Sequence, residues 1–90
     1  GVGCVARAGG QVHVSGHTDN IPIAFSERFD SNWDLSAARA AAVADFFFAN
    51  NDITSERVSV FGYADTKPVA DNDSATGRAQ NRRIEILIDS

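Results

Sequence analysis

Residues 11–20 read QVHVSGHTDN, a pattern that predicts a β-strand ending in a turn rich in polar side chains. Over residues 11–15 apolar and polar side chains alternate, so Val12 and Val14 share one face of the strand. A glycine then marks the strand end, and a histidine, a threonine and an aspartate follow in a row. Three kinds of site fit residues 16–20: a metal site, part of a catalytic group, or half of a binding site.

A long helix is predicted after this turn, over residues 32–49. The run AARAAAVA within it has high helix propensity, and Asn32 or Asp34 can cap the helix start. Three- and four-residue spacing predicts a face that packs on the sheet. The apolar residues of that face are Leu35, Ala38, Ala42, Val43, Phe46 and Phe47.

Two further strands are predicted over residues 58–63 and 83–89, with a brief helical turn over residues 76–81 before the last one. Residues 2–8 resemble the end of an earlier helix. A strand, a helix and a strand in succession predict a parallel strand pair joined by a crossover. The fold class is therefore α+β, with helices packed on one face of a small mixed sheet.

Length and composition predict a single domain that fills residues 1–90. The apolar fraction of 43% suits a globular core, and 12 acidic against 8 basic residues give a net charge of −4. This acidity argues against nonspecific binding to nucleic acid, which needs a basic face. The single cysteine, Cys4, cannot form a disulfide within the chain. Because the sequence has no methionine, we expect it to be a segment of a longer protein.

A metal site at the turn is disfavoured by the spacing of the two histidines. His13 and His17 are four residues apart, which places them about 13 Å apart along a strand. They can share one ion only if the chain turns sharply at Gly16. We therefore expect no metal, with His13 exposed and His17 hydrogen-bonded to backbone in the turn.

A catalytic site at the turn is also disfavoured. No serine, nor Cys4, stands in a strand–turn–helix elbow of the G-x-S-x-G type, and the adjacency of His17, Thr18 and Asp19 is not triad geometry. Asp65, which follows the second strand, can meet Asp19 as a carboxylate pair. That pairing keeps a hydrolase as an alternative.

The binding interpretation rests on Asp19 and Arg39. Asp19 lies just past the carboxyl end of a strand, where parallel sheets place their sites, and Arg39 lies in the second turn of the following helix. Four-residue steps put Arg39 on the side of Ser36, Val43 and Phe47, which is predicted to face the sheet. An acid and a guanidinium flanking one pocket suit a zwitterion, whose ammonium and carboxylate they bind respectively. The spacing fits a plain Asp19–Arg39 salt bridge equally well.

Four segments of the sequence resemble the OmpA-like peptidoglycan-binding domain of Gram-negative envelopes. They are VSGHTDN, NWDLSAARA, VSVFGYADTKPVADN and GRAQNRRIEI, and they occur in the family's order across residues 11–89. The resemblance implies a β/α/β/α/β-β sandwich that opens with a strand and a full helix. The first strand is therefore expected to be truncated here.

The resemblance also implies a ligand and a set of site residues. In the family, the acid of the G-H-T-D turn and the arginine of the L-S-x-x-R-A helix bind diaminopimelate of the peptidoglycan stem peptide; these positions are Asp19 and Arg39. Further residues that line or support the pocket are Asn32, Leu35, Asn81 and Arg82, with His17, Thr18 and Asn20 supporting the turn. No catalysis and no cofactor are implied. By strand parity with Ile84, Arg82 is expected on the helix-covered face and Arg83 opposite, and a structural role for both arginines stays open.

The long connection NIPIAFSERFDSNWDLS resembles the MotB-type branch, the flagellar stator subunits, and also wall-anchoring domains of type VI secretion proteins. The stator branch implies a periplasmic domain of an inner-membrane-anchored protein in a Gram-negative bacterium. Its partners would be peptidoglycan, a MotA-like membrane subunit and a second copy of the chain. Ile23, Phe25 and Phe29 are candidates for the dimer interface or for a lid on the domain. Type VI secretion anchors and OmpA- or Pal-type outer-membrane proteins are the alternative parents.

Overall fold

The computed structural model describes residues 11–23, 29–50 and 55–89, and these ranges form a three-stranded sheet with a long helix on one face. The elements are β1 (Gln11–His17), α1 (Asn32–Asn50), a 3₁₀ turn (Ser55–Arg57), β2 (Val58–Gly62), α2 (Ala75–Asn81) and β3 (Arg83–Asp89). Strand β1 lies in the middle, parallel to β2 and antiparallel to β3. The mixed sheet and the parallel pair are confirmed.

The strands match their sequence patterns closely, except that β1 is longer than predicted and β2 ends at Gly62, one residue before its predicted end. Val12 and Val14 are fully buried, as the alternation predicts, and β3 has the predicted bounds. Strand β1 runs two residues beyond its predicted end, because Gly16 still pairs with Gly62 on one side and with Ile84 on the other. The glycine is therefore part of the sheet and not its boundary.

Both helices are capped by serines that the sequence analysis did not select. The Ser31 hydroxyl accepts a hydrogen bond from Asp34 N at 3.4 Å, and the Ser31 carbonyl accepts one from Leu35 N. Ser31 therefore caps α1, and the expectation that Asn32 or Asp34 does so is wrong. Helix α2 starts one residue before its predicted first residue, where the Ser74 hydroxyl accepts from Gly77 N at 2.9 Å.

The core lies between α1 and the central strand, and small residues make the closest contacts. Val12, Val14, Ala40 and Ala44 form the buried cluster, with Val43, Phe47, Val58 and Ile84 packed against it. The predicted helix face is therefore partly wrong. Ala42 is exposed and Phe46 is 70% exposed, whereas Ser36, Ala40 and Ala44 point at the sheet.

Two strand glycines explain why the helix presents small residues. A Cβ atom at Gly16 would overlap the backbone of Ser36, and one at Gly62 would lie 2.8 Å from Ala37 N. Helix and sheet approach so closely that bulky side chains do not fit between them. Large residues of α1 are consequently displaced to its flanks.

Several expectations fall on parts of the chain outside the described ranges. These are the helical end at residues 2–8 with Cys4, the truncated first strand, and Phe25. Of the other two loop residues considered for an interface or lid, Ile23 and Phe29 are half-buried. Within the described ranges, no helix is both long enough and apolar enough to cross a membrane.

Candidate functional site

Asp19 lies in the turn after β1, and both of its carboxylate oxygens accept hydrogen bonds. Oδ1 accepts from Ile21 N at 3.0 Å, and Oδ2 accepts from Arg82 Nη1 at 2.8 Å. The Asp19 side chain is 11% exposed and that of Arg82 is 46% exposed. The strand end thus presents a largely buried carboxylate whose cationic partner reaches solvent.

The pKa of Asp19 is held below its usual value. Burial alone would raise this pKa, but the hydrogen bond from Arg82 and the one from Ile21 N outweigh burial, and the charges of Arg82 and Arg78 act in the same direction. Asp19 is therefore an anion at neutral pH, as an ammonium-binding residue must be.

The backbone around Asp19 is fixed by contacts with the end of β2 and with α1. Thr18 N donates to the Ala64 carbonyl at 2.8 Å, and Ala64 N donates in turn to the buried Ser36 hydroxyl at 3.1 Å. Ala64 has a positive φ of 53°, a conformation that costs energy for residues other than glycine and asparagine. These bonds hold Ala64 in that conformation and tie the turn to the helix.

Asn32 connects the other side of the Asp19 turn to α1. Its side-chain Nδ2 donates to the Ile21 carbonyl at 3.0 Å. Asn32 is the first residue of the helix, so this bond sets the loop against the helix start. The predicted supporting role of Asn32 therefore has a specific contact behind it.

Arg39 is exposed, and the prediction that it faces the sheet is wrong. Ser36, Ala40 and Ala44 form the buried stripe of α1, and Arg39 projects about 100° away from it because successive helical residues rotate by that angle. Within the described ranges Arg39 makes no hydrogen bond or ion pair. It lies at a shallow cavity of about 360 Å³ that is also lined by Phe29, Leu35, Ala38 and Ala42.

The salt bridge that the sequence suggested between Asp19 and Arg39 is not formed, because Arg82 occupies that position. The parity argument for Arg82 does not apply, since Arg82 precedes β3 and caps α2, with its N–H donating to the Arg78 carbonyl. Arg83, the first residue of β3, pairs with Glu85 as expected for the opposite face. Arg82 therefore neutralises Asp19, and Arg39 is unpaired among the residues that the structure describes.

Asn81 supports the loop before α2 from a fully buried position. Its Oδ1 accepts from Val69 N at 2.8 Å and Ala70 N at 3.0 Å, and its Nδ2 donates to the Ala70 carbonyl and to Asn72 Oδ1. The amide has no hydrogen-bonding capacity left. Asn81 therefore acts through the loop and has no polar atom to offer a ligand.

His17 is buried and contacts side chains, so the expectation of a backbone hydrogen bond in the turn is wrong. Its Nε2 lies 3.2 Å from the Ser15 hydroxyl, its ring stacks on Tyr63 at 5.3 Å, and its Nδ1 has no partner. Burial lowers the pKa of His17, the charges of Arg83 and Lys67 lower it further, and Glu85 opposes them.

The other two turn residues differ in their contacts. Thr18 is buried, and its hydroxyl donates to the Asp19 carbonyl at 2.8 Å. Asn20 is exposed. The turn is therefore shaped by Thr18 and by the backbone bonds described above.

The geometry of the described residues gives little support to a metal site or to a hydrolytic site. No group of three or more metal-binding side chains occurs in the described part of the chain. Asp65 is exposed, whereas Asp19 is buried and paired with Arg82. A carboxylate pair for hydrolysis is thus not assembled by these two residues.

A turn with a paired carboxylate, beside a helix with an exposed arginine, on a three-stranded mixed sheet, defines a small α+β binding domain. The OmpA family model matches residues 5–82, and the chain belongs to the OmpA family.

The chain is similar to known proteins of this family. It is 48% identical over 75 residues to motility protein B of Bacillus subtilis, which covers 83% of the chain and 28% of that protein. The cell wall anchor of the T6SS from Pseudomonas aeruginosa has a TM-score of 0.82 and 52% identity, covering 90% of this chain and 55% of that one. The C-terminal domain of Helicobacter pylori MotB has a TM-score of 0.82 and 32% identity, and the match covers 90% of this chain and 60% of that one. The chain spans less than a third of the curated relative it matches.

Proposed function

We propose that this domain binds peptidoglycan non-covalently and anchors its parent protein to the cell wall. Asp19 takes the ammonium group, and Arg39 the carboxylate, of the diaminopimelate side chain of a stem peptide. The observation that carries this assignment is the state of Arg39, an exposed guanidinium without a partner in the described ranges, at the rim of a cavity with apolar walls. A guanidinium in this state can form a two-pronged bond with a carboxylate.

The turn that carries Asp19 is tied to the helix that carries Arg39. Asn32 ties the turn of Asp19 to the first residue of α1, and Arg39 follows Asn32 by two helical turns, about 10 Å. An extended arginine side chain can reach back across much of this distance. Leu35 and Phe29 line the cavity beside Arg39, where they can contact the methylene chain of the ligand.

Arg82 occupies Asp19 before the ligand arrives. Because nearly half of the Arg82 side chain is exposed, it can shift when a ligand ammonium approaches the same carboxylate. Arg82 therefore keeps Asp19 ionised in the empty site and gives way, wholly or in part, to the ligand.

The parent protein that we propose is a flagellar stator subunit of the MotB type. The supporting observations are the identity with motility protein B and the length of the connection between Asn20 and α1. In that setting the domain lies in the periplasm of a Gram-negative cell, below an inner-membrane anchor, pairs with a second copy and works with a MotA-like subunit. The 52% identity with the T6SS anchor makes a secretion-system anchor the second candidate, ahead of an OmpA- or Pal-type outer-membrane protein.

Sedimentation with purified diaminopimelate-type sacculi tests the site. Wild-type protein should pellet, and Asp19→Asn and Arg39→Ala should remain in the supernatant. Arg39→Ala should change the free energy of unfolding by no more than about 0.5 kcal/mol, because the side chain is exposed and has no partner among the described residues. Arg39→Lys keeps the positive charge but loses the paired N–H donors of the guanidinium, so this variant should bind weakly. Wild-type pelleting by both Asp19→Asn and Arg39→Ala would refute the assignment.

The same incubation separates a binder from a hydrolase. We expect no soluble muropeptides to be released from the sacculi at any protein concentration. Release that depends on Asp19 would instead support the hydrolase alternative.

A further inference from the structure

The face of the sheet opposite α1 carries a groove that the proposed site does not use. Strand register places Ser59, His13 and Leu87 in one row across this face, and Phe61, Ser15 and Glu85 in the next. The groove has a volume of about 430 Å³, which is within the range of small-ligand sites. Residues that line it include His13, Ser15, Phe61, Tyr63, Lys67 and Glu85.

Aromatic rings run along one side of this groove in continuous contact. His13 and Phe61 have centroids 5.8 Å apart, Phe61 and Tyr63 6.0 Å, and Tyr63 and His17 5.3 Å. The ammonium of Lys67 lies 5.2 Å from the Tyr63 ring centroid. Aromatic and cation–π contacts of this kind are favourable and hold the aromatic side chains in place.

Polar groups stand beside the rings within the same groove. Ser15 supplies a hydroxyl, Glu85 carboxylate oxygens and Lys67 an ammonium, while Leu87 extends the apolar surface. A surface that alternates ring faces with hydrogen-bonding groups matches a sugar ring, which has a flat C–H face and a rim of hydroxyls and amides.

We propose that this groove is a glycan subsite, which binds the sugar backbone of the polymer whose stem peptide is held by Asp19 and Arg39. This inference rests on the proposed function. It adds a second contact to the same polymer, so that sugar and peptide are bound together. Two linked contacts on one ligand raise its affinity beyond that of either contact alone.

The distance between groove and peptide site fits one stem peptide. His17 closes the aromatic row, and Asp19 follows two residues later. Ser15 lines the groove and is four residues from Asp19, so the two residues lie at most about 13 Å apart. The two or three residues that link a sugar to diaminopimelate span about 10 Å, and the lactyl group adds to that reach.

A second copy of this chain fits the groove less well than a glycan. Three strands about 4.8 Å apart and five to seven residues long offer a flat footprint of about 240–330 Å². A stable protein interface buries about 800 Å² on each partner. The area of this face suits one or two sugar rings.

The test compares three ligands with wild-type protein and two matched variants. The ligands are a free diaminopimelate stem peptide, the disaccharide bearing that peptide, and a glycan strand stripped of peptide. Leu87→Ser changes a groove residue that is 64% exposed, and Val69→Ser changes one outside the groove that is 60% exposed. Phe61→Ala, checked for folding by circular dichroism, is a second groove variant.

We expect wild-type and Val69→Ser protein to bind the disaccharide-peptide at least about fivefold more tightly than the free peptide, a difference of about 1 kcal/mol. Leu87→Ser and Phe61→Ala should lose that gain and keep wild-type affinity for the free peptide. Equal affinity of wild-type protein for both ligands would overturn the glycan subsite. A wild-type dimer that dissociates in the Leu87→Ser variant would also overturn it.

If the free peptide does not bind, the proposed function fails, and binding of the stripped glycan then decides the glycan subsite. Glycan binding that Leu87→Ser weakens would support the subsite, and no glycan binding would overturn it.

Discussion

Asp19 shows what single residues contribute to this site and how far sequence reasoning could locate them. Its place past the end of β1 follows from strand alternation and from the turn motif. Its partner Arg82 is 63 residues away in sequence, and no periodic pattern connects the two. The parity argument for Arg82 does not apply, because Arg82 is the C-cap of α2 and lies outside β3.

The pairing of Asp19 with Arg82 predicts a change in the titration of the carboxyl group. In Arg82→Gln the pKa of Asp19 should rise, because its main favourable contact is lost and burial is then less opposed. A lowered native pKa adds stability above the unfolded pKa, and this stability is lost as the pH falls through the native pKa. The variant should therefore be less stable by about 1 kcal/mol at pH 7. NMR titration of the Asp19 carboxyl measures the effect, and an unchanged pKa would contradict the pairing.

His17 predicts a second pH effect, which acts in the same direction but closer to neutral pH. Its pKa is lowered from 6.5 by burial and by nearby cations, so the unfolded chain takes up a proton before the folded one does. The free energy of unfolding should therefore be constant above about pH 6.5 and fall as the pH drops below it. Urea unfolding at pH 7.5 and pH 5 measures this fall. His17→Phe, which keeps the ring over Tyr63 and cannot titrate, should lessen it; an equal fall in both proteins would exclude His17 as the cause.

At the level of secondary structure, the strands were more predictable than the helix face. The alternation of apolar and polar residues in a strand requires only that one side of the sheet is buried. Val12 and Val14 follow this alternation. The face of α1 depends on how closely the helix approaches the sheet, which Gly16 and Gly62 decide from elsewhere in the chain. Hydrophobic spacing alone favoured Phe46 over Ser36, and packing reversed that order.

The close approach of α1 predicts that Gly16→Ala is severely destabilising. The added methyl group would overlap the Ser36 carbonyl, and backbone atoms cannot shift as a flexible side chain can. We expect a loss of about 3 kcal/mol or more in the free energy of unfolding. Gly62→Ala, with less overlap at Ala37, should cost less. Denaturant unfolding of both variants measures the order, and a mild effect at Gly16 would contradict the packing of the helix on the sheet.

At the level of the whole molecule, the proposed peptide site and the open-face groove meet at one end of β1. His17 belongs to the aromatic row, and Asp19 belongs to the ion pair. The motif segments located the proposed ligand residues on the turn and the helix, because these residues lie inside conspicuous local patterns. The groove is built from alternate residues of three strands, so only the pairing of the strands brings it together.

The proposed recognition of a zwitterion is tested by a comparison of two kinds of sacculi. Diaminopimelate carries a carboxylate beside its side-chain ammonium, and lysine, which replaces it in other cell walls, carries the ammonium alone. Because Arg39 is proposed to bind that carboxylate, the protein should sediment with diaminopimelate-type sacculi and stay in solution with lysine-type sacculi. Equal binding to both would contradict the account.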